Sequence, residues 1–286
     1  MKIGLIFFPV RPQFLAPAAR RADELGYESV WIPEHLLFPT KIESKYPYDP
    51  TLGPPLPSTP LFDPLITLSY VAAQTKRIRL GTGIYILPLR HPVLVAKYIA
   101  TLDALSEGRV VLSVGAGWLK EEFDAIEAPF DKRGSRMEEG IQIMRRLWTE
   151  QRIAHQGRFY RFEETGFEPK PPRGCVPILI GGESSMALKR AARFGDGWQG
   201  LDHMPEAAAP FIKELLALRG ENQAPFEITI GHPSVPSLDD LRRYRDVGVD
   251  RVTTKVRFLG GGGKTIEATL DGLQRFAETV MGRLEA

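Results

Sequence analysis

A carboxylate and an imidazole stand side by side at Glu34 and His35, directly after the apolar segment Trp31–Pro33. An imidazole with a pKa of ~6.5 can donate or accept a proton near neutral pH, and an adjacent acid can fix its orientation or raise its pKa. A loop histidine can also serve only as a capping or hydrogen-bonded residue. The position after a strand favours proton transfer, because barrel enzymes hold their catalytic groups at strand ends.

Glycines follow two strand-like runs that lie one strand–helix unit apart. The first run ends in Gly81–Ile84, which reads Gly-Thr-Gly-Ile, and the second ends in Gly115–Trp118, which reads Gly-Ala-Gly-Trp. A glycine there lets backbone approach a flat or phosphorylated ligand, because a Cβ would block the approach or forbid the φ value of the turn. The two strand ends predict one shared ligand floor.

A third glycine-rich strand end, Gly181–Ser185, leads directly into a helix. Unpaired amides at a helix N-terminus, made accessible by glycines and joined by hydroxyl groups, suit a phosphate. N-capping by Ser184 or Ser185 would also explain the serines. Arg133 and Arg136 are candidate charges for the same phosphate, although arginines in such positions often form surface ion pairs.

Short β-branched or apolar runs alternate with longer amphipathic runs along the whole chain. Eight such alternations predict an α/β fold, a (β/α)8 TIM barrel with its chemistry at the carboxyl ends of the strands. The predicted strands are Lys2–Phe8, Ser29–Pro33, Arg79–Thr82, Arg109–Gly115, Pro177–Gly181, Gly197–Gly200, Phe226–His232 and Arg251–Val256. The predicted helices are Leu15–Leu25, Pro64–Gln74, Pro92–Leu105, Arg136–Trp148, Ser185–Phe194, Pro205–Leu218, Leu238–Val247 and Thr265–Met281.

Two segments interrupt the alternation. Leu36–Phe62, after strand 2, is rich in proline and lacks a helical period, which predicts a long loop that covers the barrel mouth as a lid. Arg152–Phe162 alternates in a way that predicts a small hairpin inserted before strand 5. Gly260–Lys264 is similar to a phosphate loop, but Phe258 stands where that motif requires a glycine, which favours a flexible turn.

Composition limits the classes of partner. The 286 residues carry a net charge of +2 with no basic stripe, which argues against nucleic acid. Cys175 is the only cysteine, so no internal disulfide forms and a reducing cytoplasm is expected. We expect one domain spanning residues 1–286, no signal peptide, no membrane span and no metal site.

Together these segments resemble the luciferase-like oxidoreductase superfamily, and most closely its deazaflavin (coenzyme F-420)-dependent branch. The resemblance covers about Val30–Gly200 and therefore depends on more than one glycine motif. It implies a (β/α)8 barrel with an insertion, commonly a homodimer, that binds reduced flavin mononucleotide (FMN) or the deazaflavin over the barrel mouth. The matching segments are Val30–His35, Ile78–Pro88, Pro92–Trp118, Phe130–Trp148 and Pro177–Trp198.

The resemblance also implies roles for single positions. Glu34 and His35 match an acid–histidine pair whose histidine faces the reactive edge of the ring. Gly83 and Ile84 match a bulge with a non-proline cis peptide that supports the ring from behind. Some deazaflavin dehydrogenases carry a glutamate where this chain has Trp118, so the acid–base role of that glutamate is not transferred. The further cofactor-binding candidates are Ala116, Gly117 and Trp118 against the ring, and Gly181, Gly182, Glu183, Ser184 and Ser185 at the phosphate.

The leading hypothesis is an oxidoreductase that transfers a hydride between the reduced deazaflavin and a small organic substrate, with His35 handling the proton. The alternative is an FMN-dependent monooxygenase, and a cofactor carrier or a phosphate-sugar isomerase are more distant possibilities. Aromatic side chains in the predicted lid, including Tyr46 and Tyr48, favour an apolar or aromatic substrate. His203 and His232 are further candidates for substrate contact, and Trp198 either fills the barrel or contacts cofactor.

Overall fold

Parallel strands buried on both faces read as continuous apolar runs, and such runs build the centre of this molecule. The computed structural model describes residues 1–47 and 56–284, and within these ranges eight parallel strands close into a barrel. The barrel strands are β1 (Lys2–Ile6), β2 (Ser29–Ile32), β3 (Arg79–Thr82), β5 (Val110–Gly115), β8 (Ile178–Gly181), β9 (Gly197–Asp202), β10 (Glu227–Gly231) and β11 (Arg251–Lys255); β4 (Tyr85–Ile86) is a short extension, and β6 (Arg152–Gln156) pairs with β7 (Arg161–Gly166) outside the barrel.

The barrel closes between the third and fourth of its strands. The hydrogen-bonded order is β3, β2, β1, β11, β10, β9, β8 and β5, and β5 also pairs with β3 at Leu80–Val110 and Gly81–Val111. Beyond β3, β4 continues along β5 and pairs Ile86 with Gly115. The predicted (β/α)8 TIM barrel is therefore confirmed.

Helices cover the outside of the barrel, and several begin at a side-chain cap. Asp63 accepts hydrogen bonds from the Leu65 and Ile66 amides, and Ser237 forms a capping box with Asp240. The eight predicted helices are all present. The helices are α1 (Pro12–Glu24), α2 (Pro64–Ala72), α3 (Pro92–Leu105), α4 (Lys120–Ala125), α5 (Arg133–Thr149), α6 (Ser185–Phe194), α7 (Pro205–Arg219), α8 (Leu238–Asp246), α9 (Val256–Leu259) and α10 (Ile266–Thr279).

The short helices α4 and α9 are absent from the sequence-based prediction, because one or two turns are too short to show a helical period. The inserted hairpin is confirmed, and its second strand continues beyond the predicted end to Gly166. Glu139 on α5 anchors it by accepting hydrogen bonds from the Phe159 and Tyr160 amides and pairing with His155.

The amino-terminal end of the barrel is filled by a buried ion network. Arg251 has a fully buried side chain, and its Nε and Nη2 donate to the two carboxylate oxygens of Glu28 at 2.7 Å each. Arg251 also pairs with Glu227 and lies over the Trp31 ring. Burial tends to raise the pKa of Glu28, but the hydrogen bonds and charge of Arg251 outweigh it and lower that pKa. These residues pair with one another at the amino-terminal end of the barrel, away from the strand ends at which barrel enzymes hold their catalytic groups.

The segment after β2 contains no helix or strand in its described parts, residues 36–47 and 56–62. Glu121 on α4 holds it near the barrel mouth, since Glu121 Oε1 accepts from the Glu43 and Ser44 amides at 2.6 and 2.9 Å. Tyr48 lies outside the described residues. The role of this segment as a lid stays a prediction. Among the described helices, none is long and apolar enough to cross a membrane.

Candidate active site

Two cavities open at the carboxyl ends of the barrel strands and share Ile84, Gly117 and Trp118 as lining residues. The His35 cavity, of ≈ 220 Å³, is lined by His35, Glu34, Gly83, Gly182 and Gln199 among others. The Ser184 cavity, of ≈ 430 Å³, extends to the N-terminus of α6. The tertiary structure thus brings together the site residues predicted from sequence except Ser185, which is exposed and lines neither cavity.

Ile84 forms the floor between the two cavities. The Gly83–Ile84 peptide is cis, as the resemblance implies. A Cβ on Gly115 would stand 1.9 Å from Ile84 Cδ1, and a Cβ on Gly181 would stand 2.5 Å from Ile84 Cγ2. Gly115 and Gly181 make room for the Ile84 side chain, a role that the sequence interpretation missed, and that side chain faces the cavities. Both glycines also line the Ser184 cavity, so their contact with a ligand stays a prediction.

Glu34 supports this floor from below. Its Oε2 accepts from the Ile86 amide at 2.5 Å, and Arg90 Nη2 lies 2.6 Å from Oε1. Burial raises the pKa of Glu34 to about 7, although the charge of Arg90 and the Ile86 amide act in the opposite direction. Glu34 is therefore engaged with the backbone that follows Ile84.

The carboxylate that contacts His35 belongs to a different element, helix α4. His35 Nδ1 lies 2.9 Å from Oε2 of Glu122, in the first turn of α4, and the Leu36 amide donates to the other oxygen of Glu122. The expectation that the adjacent Glu34 orients His35 is wrong, because the Glu34 carboxylate is bound to Ile86 and Arg90. Sequence reasoning missed Glu122. The only sign of it in the sequence was its position four residues after Trp118, which follows a strand end.

Aromatic rings form one wall of the site. The Trp118 ring meets the His35 ring edge-on, with centroids 5.9 Å apart, and Tyr46 meets Trp118 in the same way at 5.3 Å. Phe38 packs on His35 at 4.8 Å. These rings place apolar surface beside the imidazole.

The turn after β8 combines helix capping with access to the cavity. Ser184 is the N-cap of α6 and its Oγ accepts from the Ala187 amide at 3.2 Å. Gly182 adopts a positive φ of 111°, and its carbonyl oxygen accepts from Trp198 Nε1 at 2.8 Å. Trp198 is fully buried, so of the two predicted roles it takes the barrel-filling one.

The Glu183 carboxylate has hydrogen-bond partners within the protein. Its Oε1 accepts from the Leu201 amide at 2.8 Å and lies 2.6 Å from His203 Nε2. The hydrogen bond to Glu183 and its negative charge raise the pKa of His203, against the effect of burial. His232 is buried against Tyr244 and lines neither cavity.

The cation beside the Ser184 turn is Arg190, which sequence reasoning missed. Arg190 lines the Ser184 cavity from α6, and its Nε donates to Glu138 at 2.6 Å. The predicted cations are engaged elsewhere: Arg133 Nε donates to the Gly117 carbonyl at 2.8 Å, and Arg136 lies over the Phe159 and Tyr160 rings. The signal for Arg190 was its place on the helix that Ser184 caps.

Gln199 is a second missed residue. Its side chain lines the His35 cavity and is 8% exposed, and its Oε1 has no hydrogen-bond partner. Buried amide groups are normally paired, so an unpaired one beside a cavity marks a place for a polar ligand group. Within the described part of the chain, no group of three His, Cys, Asp or Glu side chains could hold a metal ion.

Comparison with known proteins defines the class. The profile of the luciferase-like monooxygenase family matches residues 9–256, so the chain belongs to that family, which indicates an oxidoreductase. An uncharacterized protein of Mycobacterium tuberculosis is 33% identical over 277 residues, covering 95% of this chain and 96% of the relative. The F420-dependent glucose-6-phosphate dehydrogenase of Kineococcus radiotolerans is 29% identical over 228 residues, which cover 77% of this chain and 63% of that enzyme.

Two solved structures share the fold at low sequence identity. The monooxygenase RslO1 from Streptomyces bottropensis superposes with a TM-score of 0.78 at 22% identity, covering 99% of both chains. An F420-dependent secondary alcohol dehydrogenase in complex with an F420-acetone adduct superposes with a TM-score of 0.74 at 17% identity, covering 98% of both chains. At these identities the likeness supports the fold alone.

The packing of Ile84 on Gly115 generates a stability prediction. We expect Gly115→Ala to lower the free energy of unfolding by about 1–3 kcal/mol, because its Cβ overlaps Ile84 Cδ1. Ile84→Val removes Cδ1, so the double variant should recover much of that loss. Urea unfolding of the four proteins measures the coupling, and strictly additive effects would contradict the packing. Gly166→Ala, where the nearest atom is 3.9 Å away, is the matched control.

Proposed function

We propose that this protein transfers a hydride between reduced coenzyme F-420 and a small organic substrate. The observation that carries the proposal is the pair of cavities meeting over Ile84, with an imidazole at one end and a capped helix N-terminus with Arg190 at the other. Relatives named as F420-dependent dehydrogenases support the choice of the deazaflavin. When bound, this cofactor supplies the hydride chemistry, and the protein supplies orientation and shielding.

The residues present fit such a cofactor at both of its ends. A tricyclic ring with carbonyl and N–H groups on one edge needs a partner that can both accept and donate, and the side-chain amide of Gln199, whose Oε1 is unpaired, has both kinds of group. The α6 N-terminus, Ser184 and the Arg190 guanidinium suit a phosphate group. The Glu183 carboxylate pairs with His203, and this pairing reduces its repulsion of a bound phosphate.

His35 would manage the proton that accompanies hydride transfer. Hydride addition to a carbonyl carbon leaves an alkoxide that needs a proton, and the reverse reaction requires a base for the hydroxyl proton. His35 is the only imidazole among the residues that line the His35 cavity, and Glu122 holds it in place. The aromatic wall of Trp118, Tyr46 and Phe38 favours an apolar or aromatic substrate.

A titration of the apoprotein tests the cofactor. We expect coenzyme F-420 to bind at least about tenfold more tightly than FMN, a difference of about 1.4 kcal/mol. Tryptophan fluorescence should report it, because Trp118 lines both cavities while Trp31, Trp148 and Trp198 are buried in the core. Trp118→Phe should remove the contribution of the tryptophan that lines both cavities, which makes it the control for binding at this site.

The second candidate is an FMN-dependent monooxygenase. It is favoured by the family profile, whose own description is luciferase-like monooxygenase, and by Trp118, which stands where some deazaflavin dehydrogenases carry a glutamate. Tighter binding of FMN in the titration, with oxygen consumed when reduced flavin is added, would replace the deazaflavin proposal by this one.

The role of His35 generates a kinetic prediction. We expect His35→Ala to lower kcat by on the order of 10²–10⁴, the usual contribution of a general acid or base, while the Kd of the cofactor changes little. Stopped-flow hydride transfer and equilibrium titration of the same preparation separate the two effects. A His35→Ala enzyme with wild-type kcat would remove His35 from the chemistry.

We also propose that two copies of the chain associate through α2 and α3. These helices expose a group of large apolar side chains, and a surface cavity lined by Ile66, Tyr98 and Leu105 joins the two helices. A two-fold dimer needs one self-complementary patch per copy, and exposed apolar patches mark such surfaces. The exposed side chains are Ile66, Tyr70, Leu94, Tyr98 and Leu105.

A charge placed in this patch tests the dimer. We expect the wild type to sediment as a dimer and Leu105→Lys, at a side chain that is 78% exposed, to sediment as a monomer. Leu216→Lys is the matched control, because Leu216 is an exposed leucine on α7 outside the patch. Analytical ultracentrifugation measures both, and a monomeric wild type would contradict the proposal.

A further inference from the structure

Glu122 has no exposed side-chain surface, and both of its carboxylate oxygens are engaged. Oε1 accepts from the Leu36 amide, and Oε2 lies 2.9 Å from His35 Nδ1. Leu36 directly follows His35, so the carboxylate contacts both the ring and the backbone of one short segment. Glu122 therefore fixes both the position and the orientation of the imidazole.

An ionised carboxylate can only accept hydrogen bonds, whereas a neutral imidazole donates from one ring nitrogen and accepts at the other. We propose that Glu122 is a positioning residue that holds neutral His35 in the Nδ1–H tautomer and leaves Nε2 as the acceptor available to a ligand. The importance of this for turnover rests on the proposed function, in which His35 exchanges a proton with substrate. The tautomer itself depends only on the protein.

Two other histidines provide internal references. His91 Nδ1 accepts from the Val93 amide at 3.3 Å, and His232 Nδ1 accepts from the Ser234 amide at 3.1 Å. An amide donor at Nδ1 requires a lone pair there, so these two neutral rings carry their proton on Nε2. The opposite tautomers of His35 and of these references should therefore be visible in one spectrum.

Glu122→Gln should reverse the tautomer of His35 without removing its partner. The Leu36 amide needs an acceptor and retains the side-chain oxygen of Gln, which directs the NH₂ group toward His35 Nδ1. That group donates, so the ring proton moves to Nε2. In the Ser-His-Asp triad the equivalent change of acid to amide keeps the geometry and lowers kcat by roughly 10⁴, because the wrong tautomer is held.

Glu121→Gln is the matched control. Glu121 is the neighbouring residue on α4, and its Oε1 accepts from the Glu43 and Ser44 amides of the same loop. Among the described contacts it has none with His35. A purely structural role of these carboxylates would make the two variants behave alike, whereas an orienting role distinguishes them.

The experiment is ¹⁵N NMR of histidine-labelled protein without cofactor, at alkaline pH, which favours neutral imidazoles. The chain has five histidines, and His35→Ala assigns the His35 resonances by subtraction. We expect Nδ1–H for His35 in the wild type and in Glu121→Gln, and Nε2–H in Glu122→Gln. A wild-type His35 protonated on Nε2 overturns the inference even if Glu122→Gln fails to fold.

Kinetics connect the tautomer to the reaction. In the direction in which His35 accepts a hydroxyl proton from substrate, and with the deazaflavin bound, we expect Glu122→Gln to lower kcat by on the order of 10²–10⁴, because a ring protonated on Nε2 cannot accept there; the cofactor Kd should stay within about threefold of wild type. Wild-type turnover in a variant whose tautomer has reversed overturns the positioning role. Failure of the deazaflavin to bind, together with an Nδ1–H tautomer in the wild type, overturns the proposed function and supports the tautomer assignment.

Discussion

The side chain of Ile84 occupies the centre of the barrel mouth, and it can do so only because Gly115 and Gly181 carry no Cβ. The Glu34 carboxylate holds the following backbone through the Ile86 amide, and Arg90 neutralises that carboxylate. This close packing fixes the surface on which both cavities meet. A change in any of these contacts therefore moves the floor of the site as well as its walls.

Two buried glutamates at the barrel mouth serve different purposes because their donors differ. The Glu34 carboxylate accepts a hydrogen bond from the Ile86 amide and pairs with Arg90, so it stabilises the backbone that follows Ile84. Glu122 accepts from the Leu36 amide and meets the imidazole of His35, so its carboxylate acts on a titratable ring.

Arg251 and Gln199, at opposite ends of the barrel, differ in how their polar atoms are paired. At the amino-terminal end Arg251 is enclosed by Glu28, Glu227 and Trp31, and its guanidinium forms ion pairs with the two glutamates. At the carboxyl-terminal end Gln199 keeps an unpaired acceptor, and the α6 N-terminus opens into a cavity with Arg190 at its side. Unpaired polar groups are costly in a core and are retained where a ligand can satisfy them.

The sequence by itself determined the barrel, because the eight short apolar runs and the eight amphipathic runs can each be recognised from local sequence. It also placed His35, Gly83–Ile84 and the Gly181–Ser184 turn at one face, because they follow strand ends of a parallel barrel, whereas the cis peptide at Gly83–Ile84 was implied only by the resemblance to the family. Only the tertiary structure decided which carboxylate meets His35, since Glu122 is 87 residues away along the chain. It likewise placed Arg190 beside the Ser184 cavity, Arg133 on the Gly117 carbonyl and Arg136 over the Phe159 and Tyr160 rings, because the direction of a side chain depends on the packing of α5 against α6 and the hairpin, which no local pattern records.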